Sequence, residues 1–176
     1  AVSCSSDVMG EIKEYERTLS TVINAYVGPI ADSYVDTLSE GITERGIDRT
    51  LHLMQANGGV ATPETIDGRQ LRLINSGPAA GVLGAKRLTA ASGVDDVITL
   101  DMGGTSTDTG LVRDGRPETT TEGEIEGIPL LFKQIDVRSI GAGGGSIAWI
   151  DRGGTLKVGP KSAGARPGPA CYGRGG

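Results

Sequence analysis

The residues from Asp101 to Asp108 read DMGGTSTD and combine two carboxylates, two glycines and three hydroxyl side chains. Glycines allow consecutive backbone N–H groups to point into one concavity, which holds an anion without a formal positive charge. Carboxylates beside such a site commonly bind hydrated Mg²⁺ or orient a water, because they repel phosphate. The segment therefore fits Mg·nucleotide, with Asp101 and Asp108 as candidate catalytic residues. The candidate nucleotide-binding residues are Gly103, Gly104, Thr105, Ser106 and Thr107.

The same residue types also suit a tight hairpin that binds nothing. In that interpretation glycine makes the turn, and Asp and Thr side chains cap it. The segment matches neither GxxxxGK[ST] nor a GxGxxG that opens a helix, so the two common phosphate-binding fingerprints are absent. Residue types alone leave both interpretations open.

A second glycine-rich segment, GAGGGS at 141–146, follows about forty residues later. It could bring backbone close to a nucleotide or substrate, which makes Gly143 and Gly144 further candidate binding residues. It could equally be a bend or a flexible connection between two strands. Both interpretations remain open at this stage.

Few other side chains are arranged for chemistry. Cys4 and Cys171 lie at opposite ends of the chain and make neither a CxxC nor a zinc pattern, which favours a reducing, cytoplasmic compartment. The single histidine, His52, lies in an apolar run and is expected to be a core or edge residue bonded to a backbone carbonyl. The single tryptophan, Trp149, is expected to lie in the core.

Composition and charge exclude several classes of protein. The net charge of −5 and the lack of any Lys/Arg cluster argue against nucleic acid as a partner. No stretch approaches about 18 consecutive apolar residues, so a membrane is not an expected partner. One Trp, one Phe and four Tyr in 176 residues mean that the core must be aliphatic.

The first strong helical pattern predicts an amphipathic, kinked helix at about 11–45. Apolar residues recur every fourth position along it, and we expect this stripe to face the core. Pro29 lies inside the pattern and predicts a kink or a split of the helix. The stripe consists of Val22, Tyr26, Ile30, Tyr34, Leu38 and Ile42.

The next part, about 50–101, reads as α/β. It has predicted strands at 51–55 and 71–74, a short helix opened by Thr62-Pro63, and a helix at 79–91 that begins after a turn at 75–78. A buried strand at 97–100 then opens a β-rich part, about 96–176, whose Asp114-Gly115 pair predicts a hairpin turn. Further strands are expected at 109–112, 116–121, 131–139, 146–151 and 155–158.

These elements predict one α/β domain over 1–176, with a mixed sheet flanked by helices. The chain starts with Ala and stops in a glycine-rich run, so we expect it to be a fragment of a longer protein. Six ordered motifs carry a resemblance to a known family. They are EYERTLSTVINAYVGP at 14–29, LMQANGG at 53–59, SGPAAGVLGA at 76–85, DMGGTSTD at 101–108, IGAGGGSIAW at 140–149 and GPKSAGARPGPACYGRGG at 159–176.

Together the motifs resemble the hydantoinase A / 5-oxoprolinase family, which includes subunits of acetone and acetophenone carboxylases. The resemblance implies a part, mostly the second lobe, of an actin-like (ribonuclease H-like) ATPase fold. It implies ATP and Mg²⁺ as cofactors, with Asp101 acting on Mg²⁺ through a water and Asp108 closing the phosphate turn. The implied activity is ATP-dependent opening of a cyclic amide such as hydantoin or 5-oxoproline, with a B-type partner subunit or its fused equivalent.

Two other functions fit the same resemblance, an ATP-dependent ketone carboxylase subunit and a non-catalytic assembly lobe. The family's first-lobe phosphate hairpin is not among these residues. Because catalysis needs converging groups held in register, we expect the 176-residue chain alone to have no significant ATPase activity.

Overall fold

The computed structural model describes residues 2–125 and 127–176, and it confirms an α/β chain whose second half is mainly β. The helices are α1 (Ser5–Val8), α2 (Glu14–Glu44), α3 (Pro63–Ile66) and α4 (Ser76–Ala90), with 3₁₀ turns at Gln70–Leu73 and Ala170–Tyr172. The strands are β1 (Leu53–Met54), β2 (Val60–Ala61), β3 (Val97–Met102), β4 (Thr107–Arg113), β5 (Arg116–Pro117), β6 (Thr119–Ile125), β7 (Ile128–Ile135), β8 (Val137–Ile140), β9 (Ser146–Ile150) and β10 (Leu156–Ser162).

The long helix α2 runs unbroken through Pro29, so the predicted split is wrong. A proline ring ordinarily clashes with the Cβ of the preceding residue, and Gly28 has none. The predicted core face is wrong for the first four residues of the stripe, since Tyr26 and Ile30 among them are 77% and 69% exposed, whereas Leu38 packs against the core. The face that packs inward instead carries Ser20, Asn24, Gly28 and Val35.

Asn24 explains why a polar residue occupies the buried face of α2. Its side chain is 1% exposed and accepts a hydrogen bond from the Leu71 amide at 2.9 Å. Its amide group donates to the Gly68 carbonyl at 3.1 Å and contacts Gln70 at 3.4 Å. We call these residues the Asn24 cluster. Buried backbone groups need such partners, so the polar face of α2 supplies them.

The segment after α3 differs from the prediction at one element. Residues 71–73 form part of a 3₁₀ turn rather than a strand, and Ile74 follows it. The Leu71 amide bonds to Asn24, and the Ile74 amide bonds back to the Leu71 carbonyl. The short helix after Thr62 begins at Pro63 as predicted. His52 is exposed, with its Nδ1 3.0 Å from the Thr50 carbonyl oxygen.

The described strands form four separate sheets, and every pair among them is antiparallel. This differs from the predicted mixed sheet because short turns join consecutive strands, and parallel pairing needs long crossovers. The largest sheet has the order β3-β4-β5, with β8 also paired to β4. The predicted turn at Asp114-Gly115 is present, with φ of 50° and 66° at these two residues.

Helix α4 covers one face of the largest sheet. Its Val82 packs so close to β4 that a Cβ at Gly110 would lie 2.5 Å from the Val82 side chain. The apolar cluster at this contact contains Ala79, Val82, Val112 and Ile135.

The opposite face of the same sheet is open, so the prediction that strand 97–100 is buried is wrong for Ile98 and Leu100, which are 76% and 69% exposed. Trp149 is 44% exposed rather than core, and its indole N–H donates to the Gly159 carbonyl at 2.9 Å. No helix in residues 2–125 and 127–176 is long and apolar enough to cross a membrane. That residues 1–176 make one domain stays a prediction.

Candidate functional site

The β3–β4 hairpin places the two candidate catalytic carboxylates side by side. Its register pairs Asp101 with Asp108, and the next pair, Met102 with Thr107, closes the stem below the turn 103–106. Directly opposed residues of an antiparallel pair share one face of the sheet, with Cβ atoms about 4.5–5.5 Å apart. The hairpin thus brings together two like charges that are seven residues apart in the sequence.

Both carboxylates lie on the face that α4 covers. A Cβ at Gly81 of α4 would lie 3.6 Å from Oδ2 of Asp101. Asp108 accepts a hydrogen bond from the Ser139 hydroxyl of β8. An open cavity of about 520 Å³ runs along this side of the hairpin, and its lining includes Pro78, Gly81, Asp101 and Asp108.

The turn 103–106 leaves its central amides unbonded. The Gly103 amide donates to the Ser106 carbonyl at 3.0 Å, which closes the turn. Within the described part of the chain, the amides of Gly104, Thr105 and Ser106 have no hydrogen-bond partner. Residues 103–105 are exposed to solvent. Successive unbonded amides in an exposed turn can bind an anion through partial positive charges.

The two turn glycines are not explained by backbone conformation. Neither Gly103 nor Gly104 has a positive φ, although the sequence suggested that glycine was needed for conformational freedom. A Cβ at Gly104 would meet no heavy atom within 4 Å, and one at Gly103 would meet the Ser106 carbonyl oxygen at 3.8 Å. The fold therefore tolerates a side chain at both positions, and their lack of one keeps the turn open to a close-approaching ligand.

Residues 142–146, which we call the glycine clamp, pack against the other side of the turn. The Gly144 amide donates to the Gly103 carbonyl at 2.9 Å, and the Gly145 amide donates to the Gly104 carbonyl at 2.8 Å. The buried Thr107 hydroxyl donates to the Ala142 carbonyl. The Thr107 hydroxyl and the Gly144 amide are thus bonded within the protein.

All nine sequence-predicted site residues therefore meet at one hairpin tip. The carboxylates lie on one face, the turn forms the tip, and Gly143 and Gly144 lie on the other face. Sequence reasoning did not single out Ser139 or Gly145. Ser139 lies in a predicted strand without any motif, and only the β4–β8 register, which pairs it with Asp108, shows its relevance.

The carboxylates of Asp101 and Asp108 suit Mg²⁺ better than a metal that takes all of its ligands from the protein. The described residues contain no cluster of three or more His, Cys, Asp or Glu side chains placed for a metal. Mg²⁺ is commonly held by one or two carboxylates, with waters and substrate phosphates completing its octahedron. Asp101 and Asp108, beside a turn with three unbonded amides, match that donor set.

Comparison with known proteins agrees with the six motifs. The family model described as Hydantoinase/oxoprolinase matches residues 17–176. The caprolactamase subunit alpha of Pseudomonas jessenii is 41% identical over 174 residues, which cover 98% of this chain and 25% of that protein. A crystal structure of the ATP-dependent caprolactamase from the same organism has a TM-score of 0.80 to this chain.

Two further relatives carry different names. The 5-oxoprolinase of Saccharomyces cerevisiae is 39% identical over 177 residues, which cover 99% of this chain and 13% of that protein. A nucleotide-free structure of acetone carboxylase, from work on ATP-dependent acetone carboxylation, has a TM-score of 0.81 at 31% identity and covers 92% of this chain and 23% of that one.

This chain thus spans about a quarter or less of the length of each of these relatives. The match nevertheless extends over nearly all of its own residues and includes the hairpin and the glycine clamp. On this ground the chain belongs to the hydantoinase/oxoprolinase family.

Proposed function

We propose that this chain supplies the phosphate-binding part of an ATP-dependent enzyme that opens a cyclic amide, acting within a longer polypeptide. The observation that carries the proposal is the turn 103–106, whose three unbonded amides lie beside a pair of opposed carboxylates. An anion satisfies the amides, and a cation relieves the repulsion between the carboxylates. Mg·ATP supplies both.

The turn amides and the two carboxylates have different proposed roles because their charges are opposite. The amides of Gly104, Thr105 and Ser106 bind phosphate oxygens, as backbone amides do in other anion sites. Asp101 would hold Mg²⁺ through a water, and Asp108, which accepts a hydrogen bond from the Ser139 hydroxyl, would close the phosphate turn. Bound Mg²⁺ would draw negative charge away from the phosphates. Hydroxyls of Thr105 and Ser106 are further donors toward the nucleotide.

ATP is needed because the carbonyl carbon of an amide is a weak electrophile. Transfer of the terminal phosphoryl group forms a bond from phosphorus to the amide oxygen and breaks its bond to the oxygen that stays with ADP. Water then adds to the activated carbon, the ring C–N bond breaks as the nitrogen takes up a proton, and hydrolysis of the resulting acyl phosphate releases a carboxylate and inorganic phosphate. Amide opening is favoured over other reactions by relatives named caprolactamase and 5-oxoprolinase, at 41% and 39% identity.

A second candidate function is ATP-dependent carboxylation of a ketone. It is favoured by the likeness to acetone carboxylase, whose TM-score of 0.81 equals that of the caprolactamase structure within 0.01. In both functions the hairpin does the same work on ATP, and the substrate is selected elsewhere in the longer polypeptide. A B-type partner subunit, or its fused equivalent, is part of the proposal, since one relative is itself named as a subunit.

The test is ADP release by the complete polypeptide that carries this sequence, assayed with its partner subunit. Mg·ATP is supplied with 5-oxoproline, hydantoin, N-methylhydantoin or caprolactam, or with acetone and bicarbonate. The Asp101→Asn variant is compared with Asp114→Asn, a matched change in the exposed β4–β5 turn where asparagine keeps the positive φ. We expect a cyclic amide to stimulate ADP release and Asp101→Asn to reduce it at least about a hundredfold.

The other outcomes select between the alternatives. Stimulation of ADP release by acetone with bicarbonate would support the carboxylase and contradict the amide hydrolase. No stimulation by any substrate, together with no effect of Asp101→Asn, contradicts both enzymes and favours a non-catalytic assembly lobe. An equal loss in Asp114→Asn would mean that the assay reports folding rather than the site.

A further inference from the structure

We infer that the glycine clamp is a positioning device that orients the amides of the turn 103–106 toward their anion, and that Gly143 is its central positioning residue. This inference rests on the proposed function of the turn. It adds a role for residues on the face opposite the carboxylates, which need not touch the nucleotide.

The orientation follows from two hydrogen bonds and the geometry of the peptide group. The carbonyls of Gly103 and Gly104 are both bonded to clamp amides, those of Gly144 and Gly145. A trans peptide points its C=O and N–H in opposite directions, and neither of these peptides is cis. The N–H groups of Gly104 and Thr105 are therefore directed away from the clamp.

Gly143 lets the clamp approach the turn closely enough to make these bonds. A Cβ at this position would lie 2.6 Å from the Gly103 carbonyl oxygen, 2.7 Å from the Thr105 nitrogen and 2.8 Å from the Gly104 carbonyl carbon. All three neighbours are backbone atoms of the turn, so no side-chain rotation relieves the overlap. Its φ is not positive, so close approach is the reason for glycine here.

The clamp is itself anchored on its outer side. The Gly143 amide donates to the Ser146 hydroxyl at 2.9 Å, which fixes the bend of the clamp. The Gly145 carbonyl accepts the Ala163 amide at 2.7 Å and the Ser162 hydroxyl at 3.2 Å, both near the end of β10. Turn, clamp and β10 thus form three successive layers of bonded backbone. A shift of the clamp is transmitted to the turn.

The test compares Gly143→Ala with Gly141→Ala in the complete polypeptide. Gly141 is two residues away, has no positive φ, and a Cβ there would meet nothing within 4 Å. Calorimetry measures the Kd for Mg·ADP, and steady-state kinetics measure KM for ATP and for the amide substrate. We expect Gly143→Ala to raise the Kd for Mg·ADP and the KM for ATP at least about tenfold, which is about 1.4 kcal/mol. Gly141→Ala stays within about twofold.

Comparing the KM for ATP with the KM for the amide substrate distinguishes a positioning role of Gly143 from damage to the fold. Misplaced turn amides raise the KM for ATP while the KM for the amide substrate stays within about twofold, whereas loss of folded enzyme lowers the apparent kcat and leaves both KM values unchanged. Circular dichroism and the melting temperature of the complete polypeptide, compared between wild type and Gly143→Ala, report whether the fold is retained. If Gly143→Ala does not fold, Ser146→Ala removes the bond to the Gly143 amide without adding bulk. Ser146→Ala then raises the Kd about threefold, and Ser146→Thr, which keeps the hydroxyl, restores it.

Two results overturn the inference in different ways. Equal affinity for Mg·ADP in wild type, Gly143→Ala and Ser146→Ala refutes the clamp and leaves the proposed function intact. A wild-type polypeptide that binds neither Mg·ADP nor Mg·ATP refutes the proposed function, and the clamp's role in nucleotide binding with it.

Discussion

The Asn24 cluster and the turn 103–106 treat backbone amides in opposite ways. In the first, one buried side chain bonds the Leu71 amide and the Gly68 carbonyl, and no buried side-chain nitrogen or oxygen among the described residues lacks a partner. In the second, three consecutive amides have no partner among the described residues. The first region is buried inside the fold, and the second is exposed at a hairpin tip.

The difference shows where the chain can leave polar groups free for a ligand. A buried amide without a hydrogen-bond partner costs about 1–3 kcal/mol. An interior amide outside regular secondary structure therefore needs a polar side chain as its partner. An exposed amide is bonded by water at little cost and exchanges that water for a ligand oxygen. Interior polar residues are therefore expected to control stability, and residues of the turn to control binding.

The largest test of this contrast is Asn24→Ala. It leaves the buried Leu71 amide and the half-buried Gly68 carbonyl without this partner, so we expect the unfolding free energy to fall by about 3 kcal/mol. Denaturant unfolding measures the change. Thr37→Ala on the same helix removes an exposed hydroxyl bond to the Ser33 carbonyl and serves as control, with an expected change below about 0.5 kcal/mol. Similar losses in both variants would contradict the assigned importance of the cluster.

A second test concerns the stem of the hairpin, where α4 packs against glycine. Gly110→Ala places a Cβ 2.5 Å from the Val82 side chain, and we expect a loss of about 2 kcal/mol in thermal or denaturant unfolding. Adding Val82→Ala removes the overlap, so the double variant loses less than the two single losses combined. Gly84→Ala, on the same helix as Val82, is the control. Its Cβ meets nothing within 4 Å, and it should stabilise the chain by about 0.5–1 kcal/mol. Additive losses would show that Val82 is not what Gly110 accommodates.

Gly104→Ala has the smallest expected effect and distinguishes ligand binding from stability most clearly. Gly104→Ala adds a methyl group where the fold has open space, so unfolding free energy should change by less than about 0.5 kcal/mol. The methyl group narrows the approach to the unbonded amides, so we expect Kd for Mg·ADP to rise about fivefold, which corresponds to about 1 kcal/mol. Calorimetry on the complete polypeptide measures it. Unchanged affinity would mean that the ligand does not approach the turn from this side.

The parts of the site that the sequence predicted are those that depend on neighbouring residues. An apolar strand, two glycines with three hydroxyls, and a return strand are enough to predict a hairpin, and the structure has β3 and β4 there. The Asp114-Gly115 turn was predictable for the same reason, since both residue types accept a positive φ. The predicted reason for glycine at the two turn positions 103 and 104, conformational freedom, is wrong, because neither glycine has a positive φ.

Several of the failed predictions depend on contacts that lie outside the predicted segment. The apolar stripe of α2 is regular, but the helix turns a different face inward because Asn24 bonds a residue 47 positions away. Residues 71–74 were predicted as a strand, yet the same bond holds Leu71 in a 3₁₀ turn. Trp149 was expected in the core, but its ring is 44% exposed and its indole N–H bonds the Gly159 carbonyl.

The sequence by itself determined the family, through six ordered motifs, and the local shape of the hairpin, because turns and short strands are governed by contacts between near neighbours. Only the tertiary structure decided what those motifs do together. The β3–β4 register sets Asp101 against Asp108, and backbone bonds over some forty residues place the glycine clamp behind the turn. Glycine carries no side-chain pattern from which such a contact could be predicted, so Gly143 and Gly104 look alike in the sequence and differ only in what surrounds them.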